Sequence, residues 1–152
     1  MFRLAAIAAT AVAIASPTLA QDDDFEDVLT ARQGMFRILA INLGIIGDMA
    51  KGDTEYDAEQ ATMAADNLHA VSMINPLILF PEGSDAEAID GTRALPAIWE
   101  NTDDVGSKWA DLGEAVSGLQ EVAGDGREAL GPALGPVGNA CKACHDEYRA
   151  SE

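Results

Sequence analysis

Four stretches of this chain carry apolar residues at helical spacing, and none alternates as a half-buried strand would. In the first, Phe25, Leu29, Phe36, Leu39, Leu43 and Ile46 recur on one side, preceded by Asp22 to Asp24 and stopped at Lys51-Gly52. Asp57-Ala58-Glu59-Gln60 reads as a cap for a second helix, whose face runs Ala61, Ala65, Leu68 and Val71 or Ser72 up to Asn75-Pro76. Residues 76–95 hold Pro76, Pro81, Gly83 and Gly91 and read as a long crossover. A third helix is expected from Pro96 through Trp99, Trp109, Leu112, Val116 and Leu119, ending at Gly124-Asp125-Gly126. The last carries Leu134, Val137, Cys141, Cys144 and Tyr148 on one side. Its Gly131-Pro132 and Gly135-Pro136 steps predict a late start or a kink, because proline removes a helical hydrogen bond. The expected fold is all-α, an antiparallel four-helix bundle.

The first twenty residues read as a cleaved export signal. Arg3 supplies a positive start, Leu4 to Ala15 an uncharged apolar run, and Thr18 and Ala20 the small residues of a cleavage site. The run is shorter than the roughly 20 residues that span a bilayer, so stable membrane insertion is not expected. The expected domain is therefore 21–152, in the periplasm. The formal net charge of −17 excludes binding to nucleic acid or an anionic membrane by charge, and favours a basic partner or none.

Two cysteines in an exported chain ordinarily predict a disulfide. Here Cys141 and Cys144 lie one helical turn apart, so a bridge would close a tiny loop and constrain almost nothing. Cys141-Lys142-Ala143-Cys144-His145 instead fits covalent attachment of haem c. Helical spacing puts both sulfurs and the imidazole on one side, the sulfurs as thioether tethers and His145 as iron ligand. A structural zinc site would need about four ligands, and the only other histidine is His69. A thioredoxin-type pair would follow a strand and open a helix.

Arg32 falls on the apolar stripe between Leu29 and Phe36. Two readings stand: a buried cation paired with a haem propionate in bidentate geometry, or an arginine reaching out to water. His69 reads as a partly exposed helix residue, and Met35, Met49, Met63 and Met73 as core or surface residues.

The motif's place in the last helix resembles the cytochrome c′ family of class II c-type cytochromes. The resemblance runs over Ala31-Arg32-Gln33, Gly44, Lys51-Gly52, Tyr56-Asp57-Ala58, Phe80-Pro81, Ile98-Trp99, Val137-Gly138 and Cys141 to Arg149. It implies five-coordinate iron with a crowded open face, and assigns Arg32 and Gln33 to the propionates and Phe36 to the cap over that face. Arg149 resembles the basic residue beside the proximal histidine. Ser84 and Asp85 fall where relatives place a threonine and an acidic residue against the haem. A homodimer through the first two helices is also implied, although the acidic charge argues against it.

Function then divides by coordination. A five-coordinate protein would bind nitric oxide or carbon monoxide, transfer electrons, or do both, and is not expected to be an enzyme. A six-coordinate alternative places Met35 on the iron and makes the chain a plain electron carrier. A helical interaction module without haem is the third reading.

Overall fold

The computed structural model describes residues 25–151; the expected leader and the acidic run Asp22 to Asp24 lie outside them. Five helices follow in order: α1 (Glu26–Lys51), α2 (Ala58–Ser72), α3 (Ala97–Glu100), α4 (Thr102–Val122) and α5 (Arg127–Tyr148), with a 3-10 turn at Pro76–Leu79. The described residues contain no strand, only an isolated bridge between Ala94 and Arg149.

Local signals set the helix ends. Gly52 adopts φ 84°, the left-handed region that glycine occupies without strain, and so closes α1. Asp57 accepts the Gln60 amide at 2.9 Å and opens α2. Side-chain bonds show the direction of the remaining helices. The Trp109 indole donates to the Ser72 carbonyl and Gln120 to Asp66, so α2 and α4 run antiparallel. Tyr148 meets Asp104 and Glu147 meets Lys108, so α4 and α5 do the same. With α1 packed on both α2 and α5, the four long helices close a bundle.

Two expectations need correction. The third helix is split rather than continuous. Asn101 leaves helical geometry at φ −135° and ψ 43°, and its side chain donates to the Ala97 carbonyl at 3.1 Å. Asp103 and Asp104 then start α4 in favourable charge positions. The break turns Trp99 onto the crossover, where its indole donates to the Phe80 carbonyl at 2.8 Å.

Of the late start or kink expected for α5, the late start does not occur: the helix runs from Arg127 through both Pro132 and Pro136. Gly131, Pro132, Gly135 and Pro136 all face solvent, so carbonyls left without an amide partner can be hydrated. Each proline follows a glycine, which has no Cβ to collide with the proline ring. A Cβ on Gly131 or Gly135 would meet nothing within 4 Å, so packing does not account for these glycines.

Candidate haem attachment site

The apolar stripe of α5 is interrupted where the motif lies. Val137 is fully buried and Tyr148 nearly so, whereas Cys141 and Cys144 between them are only half-buried. The same interruption divides the interior. A large cluster from Met35 through Leu68, Val116 and Leu119 to Val137 has Cys141 packed on its border. A small cluster of Ala94, Ile98, Val105 and Tyr148 has Cys144 on its own border. The seam between the clusters thus runs past both sulfurs.

Across the seam, Phe36 and Trp109 border the large cluster, and Phe80 borders the small one. Phe36 stands edge-on to both neighbours, with ring centroids 6.4 Å from Phe80 and 6.1 Å from Trp109. Met35, one residue earlier, is buried in the large cluster. Helix α1 buries two faces, one in the bundle core and one toward the crossover, and these adjacent residues divide between them.

The electrostatics favour neutral forms. Burial raises the thiol pKa of both Cys141 and Cys144. Burial, followed by the charges of Arg149 and Arg93, lowers that of His145. This keeps a ring nitrogen lone pair available for a metal. Arg149 itself is exposed and caps α5, its amide donating to the His145 carbonyl at 3.2 Å. Tyr148 donates to Asp104 at 2.6 Å, while Lys108 bridges Asp104 and Glu147, fixing the end of α5 against the start of α4. This hydrogen bond is the main cause that lowers the Asp104 pKa, and burial is the main one that raises the Tyr148 pKa.

Arg32 is 4% exposed, which rules out the water-reaching alternative. Its two terminal nitrogens make four hydrogen bonds to the crossover. Nη1 donates to the Leu79 carbonyl at 3.4 Å and to Ser84 Oγ at 3.1 Å. Nη2 donates to the Ser84 carbonyl at 2.9 Å and to Thr92 Oγ1 at 2.8 Å. These nitrogens carry four of the guanidinium's five N–H groups, so among the described residues Nε–H is the donor left uncommitted. Bidentate pairing with a propionate, one of the two readings of this residue, would engage nitrogens that here hold the loop. Gln33 donates to the Gly91 carbonyl at 2.8 Å and holds the same crossover. Asp85 is buried, and one carboxylate oxygen accepts the Glu87 amide at 2.8 Å in a local turn.

Sequence reasoning brought Cys141, Cys144, His145, Arg32, Gln33 and Phe36 into consideration, but missed the roles of Phe80, Trp109 and Thr92. Phe80 and Trp109 were visible as large aromatic residues, while their meeting on Phe36 depends on the crossover path. Nothing local singled out Thr92.

Half-buried sulfurs on a break in the core, a neutral imidazole beside them and an aromatic wall opposite suit a flat apolar macrocycle tethered from α5. Fold and site together define a helical-bundle c-type haem protein. The chain matches the family described as Cytochrome C′ over residues 27–149. It is 40% identical over 148 residues to cytochrome c-554 of Cereibacter sphaeroides, covering 97% of each chain. A solved cytochrome c′ from Rhodobacter Spheriodes superposes with TM-score 0.81 at 38% identity, covering 85% of this chain and 99% of that one. A nitric oxide complex of a mutant cytochrome c prime from Alcaligenes xylosoxidans has TM-score 0.71 at 30% identity, covering 83% and 96%. The chain belongs to the cytochrome c′ family and carries one covalently attached haem c.

Proposed function

We propose that this chain is a periplasmic, five-coordinate haem protein that binds diatomic gases, nitric oxide and carbon monoxide above all, and that can also pass electrons. Cys141 and Cys144 are the thioether tethers and His145 the single protein ligand to iron. When bound, the haem supplies an open coordination position and a one-electron couple. His145 donates its neutral ring nitrogen, and Arg149 beside it opposes protonation of that ring. Phe36 closes the opposite face sterically, admitting small ligands and slowing them.

One observation carries this reading: Phe36, which has no donor atom, meets Phe80 and Trp109 at the seam, while Met35 is packed in the core. Bringing the Met35 sulfur to the seam would rotate α1 by about one residue, roughly 100°. That movement would remove a buried side chain from the large cluster. The nitric oxide complex of the Alcaligenes relative supports the ligand class.

Arg32, Gln33, Asp85 and Arg149 complete the proposed cofactor surroundings, and the Nε–H of Arg32 is placed to serve a propionate. The periplasmic assignment rests on the expected leader, and no described helix is long and apolar enough to cross a membrane. Exposed Ile38, Ile41 and Met63 on the outer sides of α1 and α2 support a homodimer through those helices. We assign binding and carriage rather than catalysis.

The test is the absorption spectrum of the reduced holoprotein with and without carbon monoxide. A high-spin spectrum that shifts on adding the gas supports the proposal. A low-spin spectrum indifferent to the gas supports Met35 ligation instead. Replacing Phe36 with alanine should speed carbon monoxide association; an unchanged rate removes Phe36 from the gate.

A further inference from the structure

We propose that Arg32 is a positioning residue for the gas gate, acting through Phe80. The inference deepens the gas-binding reading and rests on it. Arg32 and Phe36 lie four residues apart on α1 and so share a side. The guanidinium carbon of Arg32 sits 4.6 Å from the Phe80 ring centroid. Phe80 in turn meets Phe36 edge-on.

Arg32 therefore grips the crossover twice. Its four hydrogen bonds reach acceptors at Leu79, Ser84 and Thr92, on both sides of Gly83 and Gly91. Its charged face holds the Phe80 ring directly. Ser84 Oγ passes the constraint on, donating to the Pro81 carbonyl at 2.7 Å. Trp99 fixes the Phe80 carbonyl from the other side. The Trp109 wall is tied independently to the Ser72 carbonyl at 2.8 Å. Phe36 thus works between two braced rings, and only the Phe80 brace depends on Arg32.

No carboxylate pairs with Arg32 among the described residues, and burial lowers its pKa. The described groups around this cation are neutral oxygens and a π face. Lysine could keep the charge, but its ammonium offers three donors without the planar fork. It could not hold all these acceptors and stack on the ring together.

The experiment uses ferrous holoprotein and carbon monoxide, with association measured after flash photolysis. Arg32→Lys and Phe80→Leu should each speed association about threefold or more, the scale of a lost cation–π contact. The double variant should be no faster than the faster single variant, because both remove the same brace. Thr92→Val keeps the cation and removes one acceptor, so it tests the brace if Arg32→Lys does not fold; a smaller acceleration is expected. Amide exchange in the ferric protein gives a second readout, with Arg32→Lys loosening residues 79–92 and leaving α2 and α4 unchanged.

Faster exchange with an unchanged association rate would reduce Arg32 to a loop fastener and overturn the proposal. Additive rates in the double variant would also overturn it. If the wild-type ferrous spectrum does not respond to carbon monoxide, the gas-binding reading itself has failed, which is a different result.

Discussion

The two ends of the bundle are built on different terms. Where α1 turns into α2 and α4 into α5, the interior is continuous: Met49, Ala61, Leu119, Ala123 and Leu130 are all buried in one cluster. Tyr56 joins the two turns there, donating to the Ala123 carbonyl and accepting the Gly126 amide, both at 3.0 Å. At the motif end the interior divides, the second cluster is small, and hydrogen bonds from Arg32, Trp99 and Tyr148 hold the crossover and helix ends. The first end is complete in protein alone. The second is a frame of half-buried sulfurs and aromatic rings suited to a tethered macrocycle.

The largest effect that sharpens this contrast comes from Cys141→Ser combined with Cys144→Ser. The double variant should retain no covalent haem, read as loss of the porphyrin mass on denaturing mass spectrometry. In the haem-free chain, amides near residues 94–105 and 144–150 should exchange orders of magnitude faster than those around Leu68 and Leu119. Equal protection at both ends would break the comparison.

Next in size are paired core truncations in that haem-free chain, measured by urea unfolding. Leu119→Ala should cost about 2–5 kcal/mol, as for a side chain buried without slack. Ile98→Ala in the small cluster should cost less, about 2 kcal/mol at the low end of that range, because the divided end has room to collapse. Tyr56→Phe follows: losing the hydroxyl that serves both turns should cost about 1–2 kcal/mol.

The smallest effect concerns acid. Tyr148 and Lys108 both lower the Asp104 pKa in the folded chain. This stabilisation is complete above the unfolded carboxylate value of about 3.9 and is lost as pH falls through the lower folded value. Tyr148→Phe should therefore trail wild type by a constant margin between pH of about 5 and about 9, with the gap narrowing in stronger acid. A gap that widens on acidification would show that Asp104 is not the group holding this end.

What the sequence discloses follows the range of the interactions. The helices, the Gly52 stop and the Asp57 cap depend on neighbours within a turn or two, so periodicity and capping chemistry suffice for them. The Cys141–His145 spacing is likewise local. The gate is different, because Phe36 meets Phe80 and Arg32 meets Thr92 through a crossover with no periodic pattern. The seam is also hidden from sequence, since Cys141 and Cys144 fall on an apolar stripe that reads as continuous. The Gly-Pro steps point to a later start of α5 than the one found because proline propensity describes a generic helix interior, and here both lie on the wet side after glycine.

Those two steps give the haem-bearing helix an uneven stiffness. Without amide hydrogens, Pro132 and Pro136 remove the rungs that would return to Glu128 and Pro132. Bending the first half of α5 thus breaks fewer bonds than bending the half that ends in His145. A push on the iron side would be taken up as a bow near Gly131 to Pro136 before it disturbed the Tyr56 tie, so the compliant hinge shields the finished end from whatever happens at the open one.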